Sequence, residues 1–371
     1  MNSPAAEYLM PGGRASISAL PKISLHDHLD GGLRPQTVID LAAEIGLELP
    51  TTDAKALAKW FVSQSSGGDL VSFLKTFEIT TAIMQTPAQL HRVAREFVLD
   101  LAADGVIYGE VRWAPEQHVQ GGLSLDDAVE AVQSGLVAGV EEAAIGGHDI
   151  RVGQIITAMR HADRAVEVAE LAIRHRENGV VGFDIAGAEL GFPASRFTEA
   201  FDLLAKNYLP VTIHAGEADG IESIEDALFS GRALRIGHGV RIASDIEIDS
   251  SDDENSYVTL GPVAQWIKDR EITLEICPVS NLFTNAAGTT DLADHPFDLL
   301  YQLGFRVTVS PDDRLMTGTT ISQELSMLVD AFGYDLTDLE VFQQNAAASA
   351  FLPIDDREEL ADRITAGFES A

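Results

Sequence analysis

At 371 residues, with 46% hydrophobic side chains, 31 Gly and 14 Pro, the chain has the composition of a globular protein with a large core, which excludes the disordered and fibrous classes. Its 25 basic against 58 acidic side chains leave a formal net charge of −33, a field that repels phosphate backbones and anionic lipid surfaces. No nucleic-acid or membrane partner is expected, a neutral or cationic small molecule is, and a single cysteine, Cys277, excludes an internal disulfide or a zinc site built on several thiolates.

The first twenty residues, "MNSPAAEYLMPGGRASISAL", lack a charged segment joined to a long apolar run, and no stretch approaches ~20 uninterrupted apolar residues. They read as a short frayed tail on a cytoplasmic protein. Eight β-branched runs then follow in order: 22–29, 105–113, 150–159, 179–187, 208–216, 234–240, 272–278 and 305–313. Between them lie segments of helical periodicity such as "LDDAVEAVQSGLVAGVEEAA" and "ADRAVEVAELAIRHRENG". Eight βα units in alternation predict an α/β fold, a (β/α)8 TIM barrel forming one domain over 1–371, with a doubly wound open sheet as the alternative. Residues 35–105 exceed an ordinary connection, and their helical patterns predict an insertion after the first strand that covers the C-terminal mouth as a lid. The acid-rich 243–257, "ASDIEIDSSDDENSY", reads as a solvated loop without periodicity.

Side chains two apart on a strand share a face, so His26 and His28 in "KISLHDHLDGG" point together at the C-terminal edge of the first strand. An HxH triplet alone is equally a satisfied core pair. Other strands also end in polar groups: "IHAGE" brings His214 and Glu217, "GHG" brings His238, and "SPDD" brings Asp312 and Asp313. In a barrel those ends meet. His26, His28, His214 and Asp312 supply three imidazoles and one carboxylate, a set suited to one Zn²⁺ with an open position for water. The fourth run has no lysine to bridge two metals, so one ion per chain is expected. Glu217 is placed either to move a proton near the reacting atom or merely to start a helix. His238, between glycines, can orient or deprotonate the water. Asp313 is left to bind substrate or to form a turn. Gly187 offers approachable backbone N–H groups or a simple turn, and Asp30 accepts from hydroxyls or starts a turn. No dinucleotide fingerprint, phosphate loop or serine elbow is present, and the cysteine-based zinc deaminase pattern is excluded.

These residues resemble a known family. "HDHLDGG", "EVRWAPE", "DIAGAE", "IHAGE" and "GHG" are similar, in order, to elements of the adenosine deaminases of the amidohydrolase superfamily, over about residues 21–350. The resemblance implies zinc-dependent hydrolytic deamination of adenosine and 2'-deoxyadenosine to inosine or deoxyinosine plus ammonia, in purine salvage. It implies His26, His28, His214 and Asp312 as metal ligands, with His28 also facing substrate, and Glu217 as proton donor to purine N1. His238 would steer the attack at C6, Asp313 hold N7, the Gly187 backbone meet N3, and Asp30 bind a ribose hydroxyl. Phe73 and Phe77, one helical turn apart in the insertion, would wall the pocket, though core packing explains them equally. Deamination of free adenine or another 6-aminopurine derivative is the alternative, but relatives with those substrates tend to carry HxHxEG, so Asp30 points to a nucleoside. A departure lies at Pro311, where the family usually has Thr; Pro fixes its own φ and removes a donor, and a slight re-aiming of Asp312 is expected. A barrel that binds metal or purine without turnover is the contrasting reading, and no motif residue is missing to favour it. The sequence leaves oligomeric state open.

Overall fold

A computed structural model describes residues 8–11, 15–251 and 256–371. Eight parallel strands form the barrel: β1 (Lys22–His28), β2 (Val106–Trp113), β3 (Arg151–Met159), β4 (Val180–Ala186), β5 (Thr212–Ala215), β6 (Arg235–His238), β9 (Thr273–Ile276) and β10 (Val307–Val309). All eight fall inside the runs expected from sequence. The eighth is the most shortened, to three residues, and the fifth keeps four because Tyr208 takes a left-handed φ of 57° and Pro210 follows. Two remaining strands, β7 (Ile246–Ser251) and β8 (Ser256–Leu260), pair antiparallel. They correct the expectation of an irregular acidic loop at 243–257: the I-E-I-D alternation from Ile246 to Asp249 suits a ribbon, whose tip lies outside the described residues.

The strands group as β1-β2-β3-β4 and β10-β9-β6-β5. Single bridges join the two halves into a closed barrel, Phe183 with Val211 and Asp27 with Asp312. At the second seam the His28 N–H donates to Asp312 O at 2.8 Å and the Asp312 N–H to His26 O at 3.1 Å. Barrel closure therefore carries Asp312 to the histidine pair.

The insertion contains the helices Pro35–Ile45, Ala54–Ser65, Leu70–Leu74 and Phe77–Ala82. The helix Pro87–Ala103, which the sequence reading included, instead packs along Leu125–Ile145 in the outer ring. The tail is also corrected in part. Met10, Ile17 and Leu20 are buried, and the buried Lys22 ammonium donates to Ile17 O and Leu20 O, both at 2.7 Å. Residues 1–7 and 12–14 lie outside the described residues. Among the described residues no helix is long and apolar enough to cross a membrane.

The barrel interior is ionic below the mouth. Arg112 and Arg235, both buried, sit among buried Glu110, Asp184 and Glu275. Arg112 donates to Glu275 Oε2 at 2.6 Å, to Leu25 O at 2.7 Å and to Asp184 Oδ2 at 3.1 Å. Arg235 donates to Glu110 and to the other oxygen of Glu275. Removing one member of such a set leaves a buried charge unpaired. Arg112→Met is therefore expected to lower stability by about 3–5 kcal/mol in urea unfolding, whereas Arg95→Met, which breaks the exposed pair with Glu142, costs under ~1 kcal/mol. Equal losses would contradict this account of the interior.

Candidate active site

At the C-terminal ends of the strands, His26 Nε2 lies 3.1 Å from Asp312 Oδ1, and His28 Nε2 lies 3.3 Å from the same oxygen. His28 Nε2 is 3.2 Å from His214 Nε2. These four ligand atoms lie within 4.8 Å of one another. Carboxylates fix two of the rings from behind: Glu275 Oε2 is 2.9 Å from His26 Nδ1, and Asp184 Oδ2 is 2.8 Å from His214 Nδ1. With a proton held at each Nδ1, the Nε2 atoms turn lone pairs inward. Burial pushes the His214 imidazole down to about 4 in spite of Asp184, so the ring is neutral. His26 Nε2 and Asp312 Oδ1 are buried and make no hydrogen bond. Lone pairs converging on one point repel unless a cation lies among them, and three imidazoles with one carboxylate suit a divalent transition ion. Pro311 does not carry Asp312 away: the residue takes a φ of 62°, and Ser280 Oγ donates to its second oxygen at 2.7 Å.

A second group of donors, His26, His238, Cys277 and Asp312, is also close together. Burial holds the Cys277 thiol far above its ordinary range, and its Sγ lies 3.6 Å from Glu275 O as a weak donor. This group shares His26 and Asp312 with the first, so both describe one place, and the first supplies three imidazoles with one carboxylate.

Beside the four donors is a cavity of about 430 Å³. His28, Asp30, Gly187, Glu217, His238 and Asp313 all line it. Phe73 and Phe77 line it too, but on two short helices broken at Lys75–Thr76 rather than on one, with ring centroids 6.2 Å apart. Glu217 is buried, and burial with the Asp312 and Glu189 charges raises its carboxyl well above the usual range. Both causes favour its protonated, hydrogen-bond-donating form. His238 Nε2 faces it at 3.7 Å, and the Asn281 amide meets Nδ1 at 3.1 Å. Burial, with the nearby His26 and His214 rings, holds His238 neutral against the pull of Asp312. Asp313 is raised by burial and then by Asp312 and Asp30, which favours its protonated form as well. One oxygen each of Asp30 and Asp313 is buried without a partner. Gly31 is required here, since a Cβ on it would stand 1.8 Å from Asp313 Oδ1.

Several contributors were not recognised from sequence. Glu189, the acid of "DIAGAE", is buried and accepts from the N–H groups of Gly216, Glu217, Ala218 and Asp219 and from Ser223 Oγ, at 2.6–3.1 Å. It fixes the loop that carries Glu217. Asp184, Glu275, Ser280 and Asn281 orient the histidines and Asp312, while Trp113, Thr157, Met159, His161 and Phe192 complete the cavity wall. The available signal was an acid or amide inside an otherwise apolar strand or strand end. Glu189→Gln turns an NH2 group toward backbone donors. It is expected to cut kcat/KM by about 10²-fold through misplacement of Glu217 while bound metal stays constant, read from steady-state kinetics and metal quantification on the same sample. Unchanged kinetics would remove Glu189 from this role.

A family model described as adenosine deaminase matches residues 21–367. The adenosine deaminase of Mycobacterium marinum is 51% identical over 350 residues, covering 94% of this chain and 95% of that protein. Among solved structures, the adenine deaminase from Arthrobacter aurescens superposes with a TM-score of 0.81 at 26% identity, covering 95% of this chain and 100% of that one. The Arabidopsis N6-mAMP deaminase superposes with a TM-score of 0.78 at 26% identity, covering 96% and 99%. Likeness of this extent, running through nearly the whole of both sequences and over the same barrel, means that the chain belongs to the adenosine deaminase family of the amidohydrolase superfamily.

Proposed function

We propose that the cavity binds adenosine or 2'-deoxyadenosine and that the residues around it hydrolyse the C6 amino group, giving inosine or deoxyinosine and ammonia, a reaction of purine salvage. One observation carries the reading. The edge of a 6-aminopurine presents three acceptors, N1, N3 and N7, and the cavity places three groups beside the four-donor cluster that can donate to them: Glu217 and Asp313, whose surroundings favour the protonated form, and the Gly187 backbone. An acceptor-only carboxylate at either position would repel the ring nitrogen instead.

His26, His28, His214 and Asp312 would hold a single divalent ion, zinc in this reading, which supplies Lewis-acid polarisation that lowers the pKa of water toward ~7. Glu217 delivers its proton to N1, which makes C6 electrophilic. His238, neutral and facing the same space, takes the proton of the attacking water and orients its oxygen at C6. The proton then passes to the amino nitrogen, the C6–N bond breaks, ammonia leaves, and the C6 hydroxyl returns a proton to Glu217 as the C6 carbonyl forms. Asp313 and Gly187 hold the ring in register through N7 and N3. Phe73 and Phe77, on the helices over the mouth, wall the ring and sugar from water.

Asp30 supports a nucleoside over a free base: it is buried at the mouth with an unpartnered oxygen, a ready acceptor for a ribose hydroxyl. The half-identical relative is an adenosine deaminase, whereas the adenine deaminase shares only 26%. Loss of absorbance at the adenine band tests this, with adenosine and free adenine run side by side. Conversion of adenosine alone, abolished by a chelator, is expected; conversion of adenine alone would overturn the assignment. In the same assay Glu217→Gln is expected to retain its metal and lose about 10²–10⁴-fold in kcat, the range of a general acid. Undiminished turnover would remove Glu217 as the donor.

A further inference from the structure

The opposite end of the barrel holds a second concavity, of about 800 Å³, where the strands begin. Its walls include Arg235 and Thr273, the first residues of β6 and β9, Arg306 just before β10, and the segment from Ala348 to Pro353 with Arg357. Five arginines line it, Arg232, Arg235, Arg270, Arg306 and Arg357, against one carboxylate, Glu271. The whole chain has only 25 basic side chains against 58 acids, so this grouping runs against the composition.

Three of the five are committed elsewhere: Arg232 pairs with Asp202, Arg306 with Glu271, and Arg235 with Glu110 and Glu275. Among the described residues, Arg270 and Arg357 have no carboxylate partner. The Arg270 guanidinium lies over the Trp266 ring, 4.7 Å from its centroid. Arg357 donates to Ala348 O, and its Nε is buried with no partner. Exposed aromatic surface adjoins these cations: Phe229 and Trp266 are 57% and 41% exposed, with ring centroids 5.6 Å apart.

Guanidinium groups without a carboxylate partner match phosphoryl oxygens, and exposed Trp and Phe rings give a platform for a flat ring. The net charge of −33 does not forbid such a ligand, because salt screens charges beyond about 8 Å and the near field is set by the local side chains. We propose that this cleft is a second ligand site, distinct from the catalytic cavity, that binds a phosphate monoester of an aromatic compound, with Arg270 and Arg357 taking the phosphoryl group and Trp266 with Phe229 taking the ring. The phosphoryl chemistry is shared by inorganic phosphate and by nucleotides, and the ring separates them.

Isothermal titration of the metal-loaded full chain with inorganic phosphate and with phenyl phosphate tests the site; phenyl phosphate lacks the purine that the catalytic cavity would accept. Phenyl phosphate is expected to bind more tightly than inorganic phosphate. Arg270→Ala with Arg357→Ala should weaken both by about tenfold or more, the scale of a lost charged hydrogen bond, with adenosine turnover unchanged. Trp266→Ala should weaken phenyl phosphate alone. No heat from either probe at about 10 mM, or affinity undiminished in the double arginine variant, overturns the site. Equal affinity for both probes, unaffected by Trp266→Ala, overturns the aromatic half and leaves a site for free phosphate.

Discussion

The structure depends on two arginines buried among three carboxylates inside the barrel. Arg112 and Arg235 cannot leave the interior, and Glu110, Asp184 and Glu275 cannot be buried without them. The set has a formal charge of −1, and Asp312 above it makes −2, which complements a divalent cation at the mouth. The same carboxylates do a second task. Glu275 holds the His26 ring and Asp184 the His214 ring, so folding the interior also chooses the tautomers that face the cation site. Arg112, buried away from water, pairs with both acids and keeps them ionised: Asp184 is held down to about 2, against burial, by His214 and Arg112.

Closure of the barrel supplies the other constraint. The seam between β1 and β10 is made by Asp312 pairing across to His26 and His28, so the fourth donor arrives with the backbone hydrogen bonds that shut the sheet. Asp312 and His238 both sit in the left-handed region, at φ 62° and 60°, where side-chain-bearing residues are rarely found. Such strain persists only where surrounding contacts over-determine it. Ser280 and Asn281, consecutive on one short helix, supply those contacts to Asp312 and His238.

The strand ends were legible because their signals are local. HxH, HAGE, GHG and the Asp-Asp pair each lie within a few residues, and alternation fixes which way they point. The interior charges were not legible, because Glu275 meets Arg112, Arg235, Thr212 and His26 across four other strands, and their registry is decided by closure. Glu189 was within a quoted motif, yet its role needs the fold to bring the loop after β5 over it. The errors at the edges have similar causes. Lys22 ties down a segment that composition alone marks as frayed, and the alternation in "IEID" was outweighed by the acids around it.

The central claim is that this interior prepares one cation site from three imidazoles and Asp312 without sulfur. Metal quantification with zinc-edge X-ray absorption on purified, active enzyme tests it most directly. The account predicts about one zinc per chain in a shell of nitrogen and oxygen only. Full activity without stoichiometric metal, or a zinc–sulfur distance of about 2.3 Å that would place Cys277 in the shell, would contradict it.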